Sequence, residues 1–268
     1  MVSFPHCKIN LGLNILAKRT DGFHDIETCF YPIPWTDILE IIPSQQLAFT
    51  SSGIVIPGRP VENLCLKAYQ LLKKDFDLSP VKIHLHKIIP MGTGLGGGSS
   101  DAAFTLRLLN TIFELKISEE VLKQYASRLG SDCSFFLKDI PYVGTGRGEI
   151  LSPVQISLKG KFMVIVIPSI HVSTAEAYAG VRPAMSSGIL DIITQDNSSW
   201  RNLLKNDFEE SVFRKYPQIK PIKEKLYRLN AVYASMSGSG SAVYGIFDQE
   251  IHWPTSEEEG TYWSGYLN

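Results

Sequence analysis

The spacing of apolar and polar residues predicts strands at four places along the chain. They lie at residues 8–16, 37–42, 81–89 and 161–168. In "VKIHLHKII" (81–89), Val81, Ile83 and Leu85 alternate with polar residues, which is typical of a strand with one buried face. The run "KFMVIVIP" (161–168) is apolar from its second residue until a proline ends it, so we expect a fully buried strand there.

Apolar residues at helical spacing predict helices between and after these strands. The predicted segments are 62–76, 101–115, a helix from Ser118 to Gly130, and a longer helical stretch at 201–229. Each of the first two carries one apolar face that should pack on a sheet. Residues 231–247 are predicted to form a strand, a Gly/Ser turn and a second strand.

Length and texture indicate two domains. The chain has 268 residues, and domains of about 100–200 residues are usual. The residue pattern changes near position 150, where polar and glycine-rich segments give way to the long apolar run. We therefore expect domains at 1–150 and 151–268.

Composition narrows the class of protein. Hydrophobic residues make up 44% and charged residues 20%, with a formal net charge of −1, which is typical of a soluble globular protein. A chain this neutral is not expected to bind nucleic acid or membranes, and we expect neither an export signal nor a membrane span. Its cysteines are far apart, at Cys7, Cys29, Cys65 and Cys133. That spacing argues against a zinc site or disulfide framework and favours the cytoplasm.

The segment "PMGTGLGGGSSDAA" (90–103) places a run of glycines directly before a predicted helix. Glycine inside an element costs roughly 0.5–1 kcal/mol, so such a run indicates that something approaches the bare backbone closely. We expect Ser99 and Ser100 to cap a helix that begins near Asp101. Backbone N–H groups and the positive helix end would then converge on an anion, for which phosphate is our prediction. A tight turn between strand and helix is the structural alternative.

Two other nucleotide-binding patterns fit less well. Gly92, Gly94 and Gly97 match G-x-G-x-x-G, but that fingerprint needs a buried apolar first strand, whereas 81–89 alternates. The lysine of the Walker loop is missing after the glycines, as are the H-R-D and D-F-G segments of protein kinases. A dinucleotide-dependent oxidoreductase stays only as a weak alternative.

Four segments together resemble the GHMP small-molecule kinases. Besides the glycine loop, they are "KINLGLNILAKRTDGFHDIET" (8–28), "LGSDCSFFL" (129–137) and "SMSGSGSAVYGIF" (235–247). They occur in the family's order and span most of the chain. The resemblance implies an α+β fold of two domains with the active site in the cleft between them. It also implies ATP as co-substrate, together with Mg²⁺.

Within that family, the triple glycine and paired serines point to kinases that act on 4-diphosphocytidyl-2-C-methyl-D-erythritol. The implied reaction moves the γ-phosphoryl group of ATP to the 2-hydroxyl of the methylerythritol unit, in non-mevalonate isoprenoid synthesis. Asp132 is implied as the base that accepts or orients the hydroxyl proton, and Lys8 as its charged partner near the phosphate. Both types suit phosphoryl transfer, which needs positioning and electrostatic relief. Taken alone, a helix cap and a solvated strand lysine are the simpler interpretations.

On the substrate side, the resemblance implies that Phe23 and Tyr178 sandwich the cytosine and that His24 contacts its edge. Phenylalanine stands where the family usually has tyrosine, so stacking worth about 0.5–1.5 kcal/mol is kept and a hydroxyl contact is lost. Asn10, on the same strand face as the predicted catalytic lysine, should touch the substrate. Thr174 is either a further contact or a plain helix cap.

On the ATP side, the resemblance implies Asn63 and Lys87 near the adenine and the glycine loop around the phosphates. The loop residues are Pro90, Met91, Gly92, Thr93, Gly94, Leu95, Gly96, Gly97, Gly98, Ser99 and Ser100. Alternatively, Asn63 caps its helix and Lys87 reaches solvent. Mg²⁺ is needed to neutralise the phosphates. Ser100 and Asp101 are candidates for holding it, and phosphates and water alone could also do so.

The remaining glycine-rich segment and the tail are predicted to be structural. "VGTGRGEIL" (143–151) has the spacing of a hairpin, and the tail after residue 247 should form a closing strand and an exposed loop. Two other functions stay open. One is a GHMP kinase for mevalonate, phosphomevalonate or homoserine, against which "DGFH" and Tyr178 argue. The other is a nucleotide-binding regulatory protein without turnover.

Overall fold

The computed structural model describes residues 1–184, 188–195, 197–254 and 260–267. The chain forms two compact units that are interleaved in sequence. The first comprises Met1–Cys7, Trp35–Met91 and Gly96–Asp139, and the second comprises Lys8–Pro34, Gly92–Leu95 and Ile140–Asn268. The division into domains at residue 150 stays a prediction.

Strands and helices alternate irregularly along the chain. The strands are β1 (Val2–Ser3), β2 (His6–Lys18), β3 (His24–Thr36), β4 (Ile38–Pro43), β5 (Ala48–Gly53), β6 (Val81–Lys87), β7 (Tyr142–Thr145), β8 (Ile150–Pro153), β9 (Phe162–Ile167), β10 (Tyr233–Met236), β11 (Val243–Phe247) and β12 (Thr261–Tyr266). The helices are α1 (Leu64–Lys73), α2 (Gly97–Ile112), α3 (Glu119–Leu129), α4 (Thr174–Ala179), α5 (Ile189–Ile193), α6 (Trp200–Leu203), α7 (Phe208–Lys215) and α8 (Lys220–Arg228). Short 3-10 turns lie at Pro60–Glu62, Cys133–Leu137 and Asn197–Ser199. Within this part of the chain, no helix is long and apolar enough to cross a bilayer.

The first unit is built on a sheet with the strand order β1-β4-β6-β5. β5 runs parallel to β6, and the other pairs are antiparallel. The alternation predicted for 81–89 is confirmed, because Val81, Ile83 and Leu85 are buried on one face. α2 packs against α1, α3 and β4. The predicted cap of α3 is also confirmed, since the Ser118 hydroxyl accepts from Val121 N–H.

The second unit contains two sheets, with the orders β2-β3-β7-β8 and β10-β11-β9-β12. β9 lies between β11 and β12, and all six of its residues are buried, which confirms the prediction for the apolar run at 161–168. The two predicted hairpins are confirmed as the antiparallel pairs β7–β8 and β10–β11. β12 is the predicted closing strand, while the loop expected in the tail falls largely on 255–259, outside the described residues.

The start of α2 differs from the prediction. The helix begins at Gly97 rather than near Asp101, and Gly96 precedes it in the left-handed region with no side-chain cap. Ser99 and Ser100 therefore lie in its first turn and do not cap it. The reason is that glycine adopts a positive φ without strain, so the chain turns into the helix without a capping side chain.

The long helical stretch predicted at 201–229 is interrupted twice. It divides into α6, α7 and α8, with breaks at residues 204–207 and 216–219. The first break carries Asn206 and Asp207. Their side chains bond to backbone groups that are distant in the sequence, at Met236 and Ile15. The second break includes Pro217, which cannot donate a helical hydrogen bond.

Candidate active site

In the second unit, the glycine loop packs against the turn between β10 and β11. The Thr93 carbonyl oxygen accepts from Ala242 N–H at 3.0 Å, and the Gly94 carbonyl oxygen accepts from the Ser237 hydroxyl at 2.9 Å. Gly94 has a φ of +83°, and a Cβ there would overlap the Ser237 carbonyl oxygen. The neighbour that approaches the bare backbone at this glycine is therefore the protein's own carboxy-terminal glycine motif.

Lys8 lies in β2 beside this loop and is 3% exposed, so the interpretation as a solvated lysine is wrong. Its ammonium donates to Asn10 Oδ1 at 2.5 Å and to the Gly94 carbonyl oxygen at 2.9 Å. Its backbone N–H donates to the Leu95 carbonyl oxygen at 3.0 Å. The amino-terminal motif thus holds the glycine loop through both side chain and backbone.

Asn10 shares the strand face of Lys8, as its spacing predicts, and is almost completely buried. Its amide nitrogen donates to Thr28 Oγ1 at 2.9 Å. Its backbone N–H donates to Ser237 Oγ at 3.3 Å, and its carbonyl oxygen accepts from the Tyr244 hydroxyl at 2.7 Å. Because Oδ1 and Nδ2 both have partners and the backbone is bonded on either side, the Asn10 amide is held in one orientation.

The aromatic residues of the "DGFH" segment have different partners. The Phe23 ring is half exposed, and the Arg147 guanidinium lies 4.9 Å from its centroid. The His24 ring stacks on Tyr178 at a centroid distance of 4.8 Å and an interplanar angle of 22°. Tyr178 also meets Phe208 edge-on. The second unit therefore brings His24 and Tyr178 into direct contact, and it holds Phe23 against an arginine.

Thr174 is the first residue of α4, but it does not cap that helix. The cap is Ser173, whose hydroxyl accepts from Glu176 N–H at 3.2 Å. The Thr174 hydroxyl instead lies 3.3 Å from the Ser239 hydroxyl. The helix-cap interpretation of Thr174 is therefore wrong, and its side chain faces the carboxy-terminal glycine motif.

In the first unit, the start of α2 presents backbone donors. Ser100 N–H makes the first intrahelical bond, to the Gly96 carbonyl oxygen at 2.9 Å. The N–H groups of Gly97, Gly98 and Ser99 precede that bond, so they are the donors that a helix start leaves for an anion. The glycines leave the approach to these donors unobstructed by side chains.

Lys87 lies beneath this helix start and is completely buried, so the alternative that it reaches solvent is wrong. Its ammonium donates to Asp37 Oδ2 and to Asp101 Oδ2, at 2.5 and 2.7 Å. Burial alone would lower the pKa of Lys87, but the two carboxylates outweigh it and raise the pKa. A Cβ on Gly97 would come within 3.0 Å of the ammonium, so a side chain at this glycine would crowd the lysine.

A pocket of about 350 Å³ opens beside α1 and α2 in the first unit. Its walls are mainly apolar, and they include Phe49, Ile56, Leu64, Leu85 and Met91. Apolar walls with a few polar groups are the usual lining of a site for a flat organic ring. Gly98 and Asp101 line the same pocket, so the helix start and the buried charge cluster border it.

Asn63 also lines this pocket and caps α1. Its Oδ1 accepts from Cys65 N–H at 2.8 Å, which confirms the cap interpretation. The cap uses only the carbonyl oxygen of the amide. The amide nitrogen is not part of that bond, so capping and ligand binding are compatible.

Asp132 stands at the N-cap position of the 3-10 turn Cys133–Leu137. Within the described stretch 1–184, its side chain makes no capping hydrogen bond to that turn. The helix-cap interpretation of Asp132 is therefore wrong. The turn itself is buried, which fixes the backbone that carries the carboxylate.

Two oxygen atoms at the start of α2 matter for a cation. Ser100 Oγ and Asp101 Oδ1 are buried and have no hydrogen-bond partner among the described residues. Burial raises the pKa of Asp101 in spite of its contact with Lys87. Across the same described part of the chain, no group of three or more His, Cys, Asp or Glu side chains is arranged to hold a metal. Ser100 Oγ and Asp101 Oδ1 are thus two adjacent hard oxygen atoms without partners in the described part of the chain, and such oxygens are the ligand type that Mg²⁺ takes.

Comparison with known proteins identifies the family. Models of the GHMP kinase N-terminal domain and C-terminal domain match residues 63–139 and 189–252. A protein of Cytophaga hutchinsonii named 4-diphosphocytidyl-2-C-methyl-D-erythritol kinase is 55% identical over 92% of this chain and 93% of its own. The chain belongs to the 4-diphosphocytidyl-2-C-methyl-D-erythritol kinase family. The α+β GHMP kinase fold expected from the sequence is thereby confirmed.

Solved structures agree with membership in this kinase family. A crystal structure titled 4-(cytidine 5'-diphospho)-2C-methyl-D-erythritol kinase matches with a TM-score of 0.81 and 29% identity, covering 99% of this chain and 98% of that one. The mevalonate kinase of Methanococcus jannaschii matches with a TM-score of 0.70 at 14% identity, covering 100% and 98%. The second likeness shows the shared fold alone.

In this family member, three residues contact predicted site residues of their own unit although the sequence did not single them out. Asp37 pairs with Lys87 from 50 positions away, and Arg147 lies in the hairpin that was predicted to be purely structural. Ser237 belongs to a recognised motif, yet its bond to Gly94 was not foreseen. Of the three, only Ser237 could have been found from the sequence, because it lies in the segment 235–247 that resembles the family.

Proposed function

We propose that this protein phosphorylates the 2-hydroxyl of 4-diphosphocytidyl-2-C-methyl-D-erythritol, using ATP, in non-mevalonate isoprenoid synthesis. The observation that carries the proposal is the buried Lys8 ammonium bound to Asn10 and to the glycine loop, in a chain 55% identical to a kinase of that name. In the reaction, the substrate hydroxyl oxygen forms a bond to the γ-phosphorus, the bond from that phosphorus to the bridging oxygen breaks, and ADP leaves.

The phosphates bind at the glycine loop and the start of α2. The N–H groups of Gly97, Gly98 and Ser99 donate to phosphate oxygens, and the positive end of the helix dipole adds to the attraction. Leu95 has a fully buried side chain, so it contributes backbone only. Pro90, Met91 and the residues from 92 to 100 form the rest of the cradle.

Asp132 and Lys8 carry the chemical step. Asp132 accepts or orients the proton of the attacking hydroxyl, and Lys8 offsets charge on the transferring phosphoryl group. The fixed ammonium of Lys8 supports this role, because a preorganised charge needs no reorientation during the reaction. The buried turn that carries Asp132 supports a fixed position for its carboxylate.

The cytosine binds between Phe23 and Tyr178. The stacking of His24 on Tyr178 supports this arrangement. A cytosine that stacks on the Tyr178 ring beside His24 lies in the same plane as the imidazole. The edge of the base then faces the edge of the imidazole, where the N–H group and lone pair of the histidine point. Thr174 and Asn10 are the remaining substrate contacts of the proposal.

The adenine binds in the apolar pocket of the first unit. The amide nitrogen of Asn63 donates to the base, while its carbonyl oxygen stays in the cap of α1. Lys87 lies behind the pocket wall near the base. It holds the wall residue Asp101 in place through its ammonium, which also binds Asp37. Mg²⁺ neutralises the phosphates when it is bound, and Ser100 and Asp101 are the residues that would hold it.

The expected domains at 1–150 and 151–268 and a place in the cytoplasm remain part of the proposal. Burial raises the pKa of Cys29 and of Cys133 to about 12. Such cysteines stay protonated and inert at neutral pH. That property supports a structural role for these residues and no redox function.

The decisive experiment measures ADP release by the purified protein with Mg-ATP and separate acceptors. The acceptors are 4-diphosphocytidyl-2-C-methyl-D-erythritol, mevalonate, phosphomevalonate and homoserine. We expect turnover with the cytidyl acceptor alone. Asp132→Asn should lower kcat by at least about 100-fold, while Asp77→Asn, at an exposed carboxylate, should leave it unchanged.

Each other outcome has a definite meaning. Turnover with a different alcohol would keep the fold and overturn the substrate assignment. ATP binding without release of ADP, whatever the acceptor, would favour a regulatory protein. Full activity of Asp132→Asn would remove the proposed base.

A further inference from the structure

The segment Asn206–Glu209, which spans the end of the α6–α7 connection and the first two residues of α7, bonds to the two parts of the second unit that contact Gly94. Asn206 is 3% exposed. Its amide nitrogen donates to the carbonyl oxygens of Met236 and Gly238, both at 2.8 Å. Its Oδ1 accepts from Phe208 N–H at 3.0 Å. The amide nitrogen therefore donates twice and the amide oxygen accepts once, all within the protein.

The two carbonyl groups bound by Asn206 lie on either side of Ser237. Ser237 Oγ donates to the Gly94 carbonyl oxygen at 2.9 Å and accepts from Asn10 N–H at 3.3 Å. Asn206 therefore fixes the short stretch of backbone from which Ser237 reaches the glycine loop. The same Gly94 oxygen accepts from the Lys8 ammonium.

The neighbouring residues of the segment fix the strand that carries Lys8. Asp207 Oδ2 accepts from Ile15 N–H at 2.7 Å, and Asp207 N–H donates to the Leu13 carbonyl oxygen at 2.9 Å. Glu209 Oε1 accepts from Met236 N–H at 2.9 Å. Asn206, Asp207 and Glu209 thus connect β2 with β10 and the turn that follows it.

We propose that Asn206 is a positioning residue for phosphoryl transfer, which acts through Ser237 on the glycine loop and on Lys8. The inference rests on the proposed function for the reaction, but its effect on ATP binding is independent of the acceptor. Asn206 lies outside the four segments that carry the family resemblance.

The chemistry of the position calls for an amide. Two carbonyl oxygens converge on one nitrogen, and a single backbone N–H faces the oxygen, so the site needs two donors and one acceptor. An aspartate keeps the acceptor but presents an oxygen to both carbonyls. An alanine removes one donor from each of the two carbonyl groups, of which Met236 keeps the Ser235 hydroxyl at 3.3 Å. It also removes the acceptor of the Phe208 N–H, and a buried group left unsatisfied in this way costs about 1–3 kcal/mol.

The experiment compares Asn206→Ala and Asn206→Asp with Asn202→Asp, an exposed asparagine in α6. The dissociation constant for ATP is measured without acceptor by equilibrium dialysis. KM for ATP, KM for the acceptor and kcat are measured at a temperature below the onset of thermal unfolding of each variant. We expect both Asn206 variants to weaken ATP binding and lower kcat by about tenfold or more, which corresponds to the partial loss of one buried bond. In the Asn206 variants, KM for the acceptor should change less than about twofold. In the control Asn202→Asp, every one of these constants should change less than about twofold.

The pH profile separates positioning from general loss of structure. A carboxyl group buried against two carbonyl oxygens has a raised pKa, and its protonated form can donate to one of them. We therefore expect ATP binding by Asn206→Asp to improve, relative to the unchanged protein, as the pH is lowered from about 8 to about 6. Asn206→Ala should show no such recovery, because it offers no donor at any pH.

Two further measurements keep the inference open to refutation. In a Ser237→Ala background, Asn206→Ala should weaken ATP binding little further, because the path through Ser237 is already cut. Should Asn206→Ala be unfolded, Asn206→Ser, which keeps one hydroxyl donor, takes its place. Unchanged ATP binding in folded Asn206 variants, or losses that simply add to those of Ser237→Ala, would overturn the role. Absence of turnover in the unchanged protein would refute the proposed function without affecting this comparison.

Discussion

The carbonyl oxygen of Ser237 lies where the first side-chain carbon of residue 94 would have to be. Gly94 returns the contact, since its own carbonyl oxygen accepts from the Ser237 hydroxyl at 2.9 Å. The two residues are 143 positions apart in the chain. Two glycine motifs thus meet backbone to backbone, and the glycine at 94 is required by this packing as well as by its φ of +83°.

We expect Gly94→Ala to lower the free energy of unfolding by more than about 2 kcal/mol and to weaken ATP binding. The left-handed conformation alone costs an alanine about 1–2 kcal/mol, and the overlap with Ser237 must push the two motifs apart. The control is Gly160→Ala, which has a φ of +79° but nothing within 4 Å of its Cβ. Denaturant unfolding measures both, and equal losses would contradict the packing argument.

Lys87→Met should be among the most destabilising single changes in the first unit. It leaves the carboxylates of Asp37 and Asp101 buried without their cation, and breaking a buried pair in this way costs about 3–5 kcal/mol. Lys82→Met, at an exposed position of the same strand, should change stability by less than about 0.5 kcal/mol. Urea unfolding at pH 7 distinguishes the two variants.

The same variant predicts a pH dependence with a definite sign. Burial raises the pKa of Asp101, so its protonated form is favoured in the folded state, and stability falls as the pH rises through that pKa. Without Lys87 this effect should grow, so Lys87→Met should lose less stability at pH 5 than at pH 8. An equal loss at both pH values would show that the destabilisation does not come from ionised carboxylates left without a cation.

Local patterns predicted the parts of the fold in which one segment decides its own structure. The alternation at 81–89 and the apolar run at 161–168 gave the right strands, because burial on one or both faces is written into the residue order. β3 was missed because Pro32 and Pro34 interrupt it, and proline normally demotes a strand. The start of α2 was misplaced because a positive φ at Gly96 replaces the expected side-chain cap.

The candidate site was predictable as a set of motifs and not as a set of contacts. The resemblance gave Lys8 and the glycine loop, and the structure joins them. The partners Asp37 and Arg147 lie in segments without a motif, and their meeting with Lys87 and Phe23 depends on which strands and loops pack together. Periodicity fixes the face of a residue but not its neighbour across the sheet.

The carboxylate of Asp139 should stabilise the fold at neutral pH and lose this contribution in acid. The contact of its carboxylate with His6, at 3.1 Å, holds the pKa of Asp139 below its usual range, with further help from Arg107. The stabilisation is present above the pKa of an unfolded aspartate, about 3.9, and is lost as the pH falls through the lower folded value. Because the Asp139 side chain is 58% exposed, we expect no more than about 1 kcal/mol.

The measurement for Asp139 is urea unfolding of Asp139→Asn and the unchanged protein between pH 2 and pH 7. The stability difference should be full at pH 7 and should shrink towards pH 2. It should also diminish in about 1 M salt, because the pair is partly solvated. A difference that stays constant down to pH 2 would show that the ion pair is not its source.

The contact between Phe23 and Arg147 offers a last test, which rests on the proposed substrate. Arg147 is held in place by Glu149, through its side chain at 3.2 Å and its backbone N–H at 2.6 Å. Its guanidinium lies 4.9 Å from the Phe23 centroid, a geometry worth about 0.5–1 kcal/mol at an exposed site. The arginine therefore steadies a ring that lacks the family's usual tyrosine hydroxyl.

Arg147→Gln should raise KM for the cytidyl acceptor about two- to fivefold, which is that interaction energy expressed as affinity. KM for ATP and kcat should stay unchanged, because the arginine contacts only the wall against which the base stacks. The matched control is Arg201→Gln, whose guanidinium lies 4.3 Å from the Tyr227 ring in α8, away from the proposed base site. An equal rise in KM for both variants would mean that Phe23 gains nothing specific from its arginine, and the wall would then be formed by packing of the loop alone.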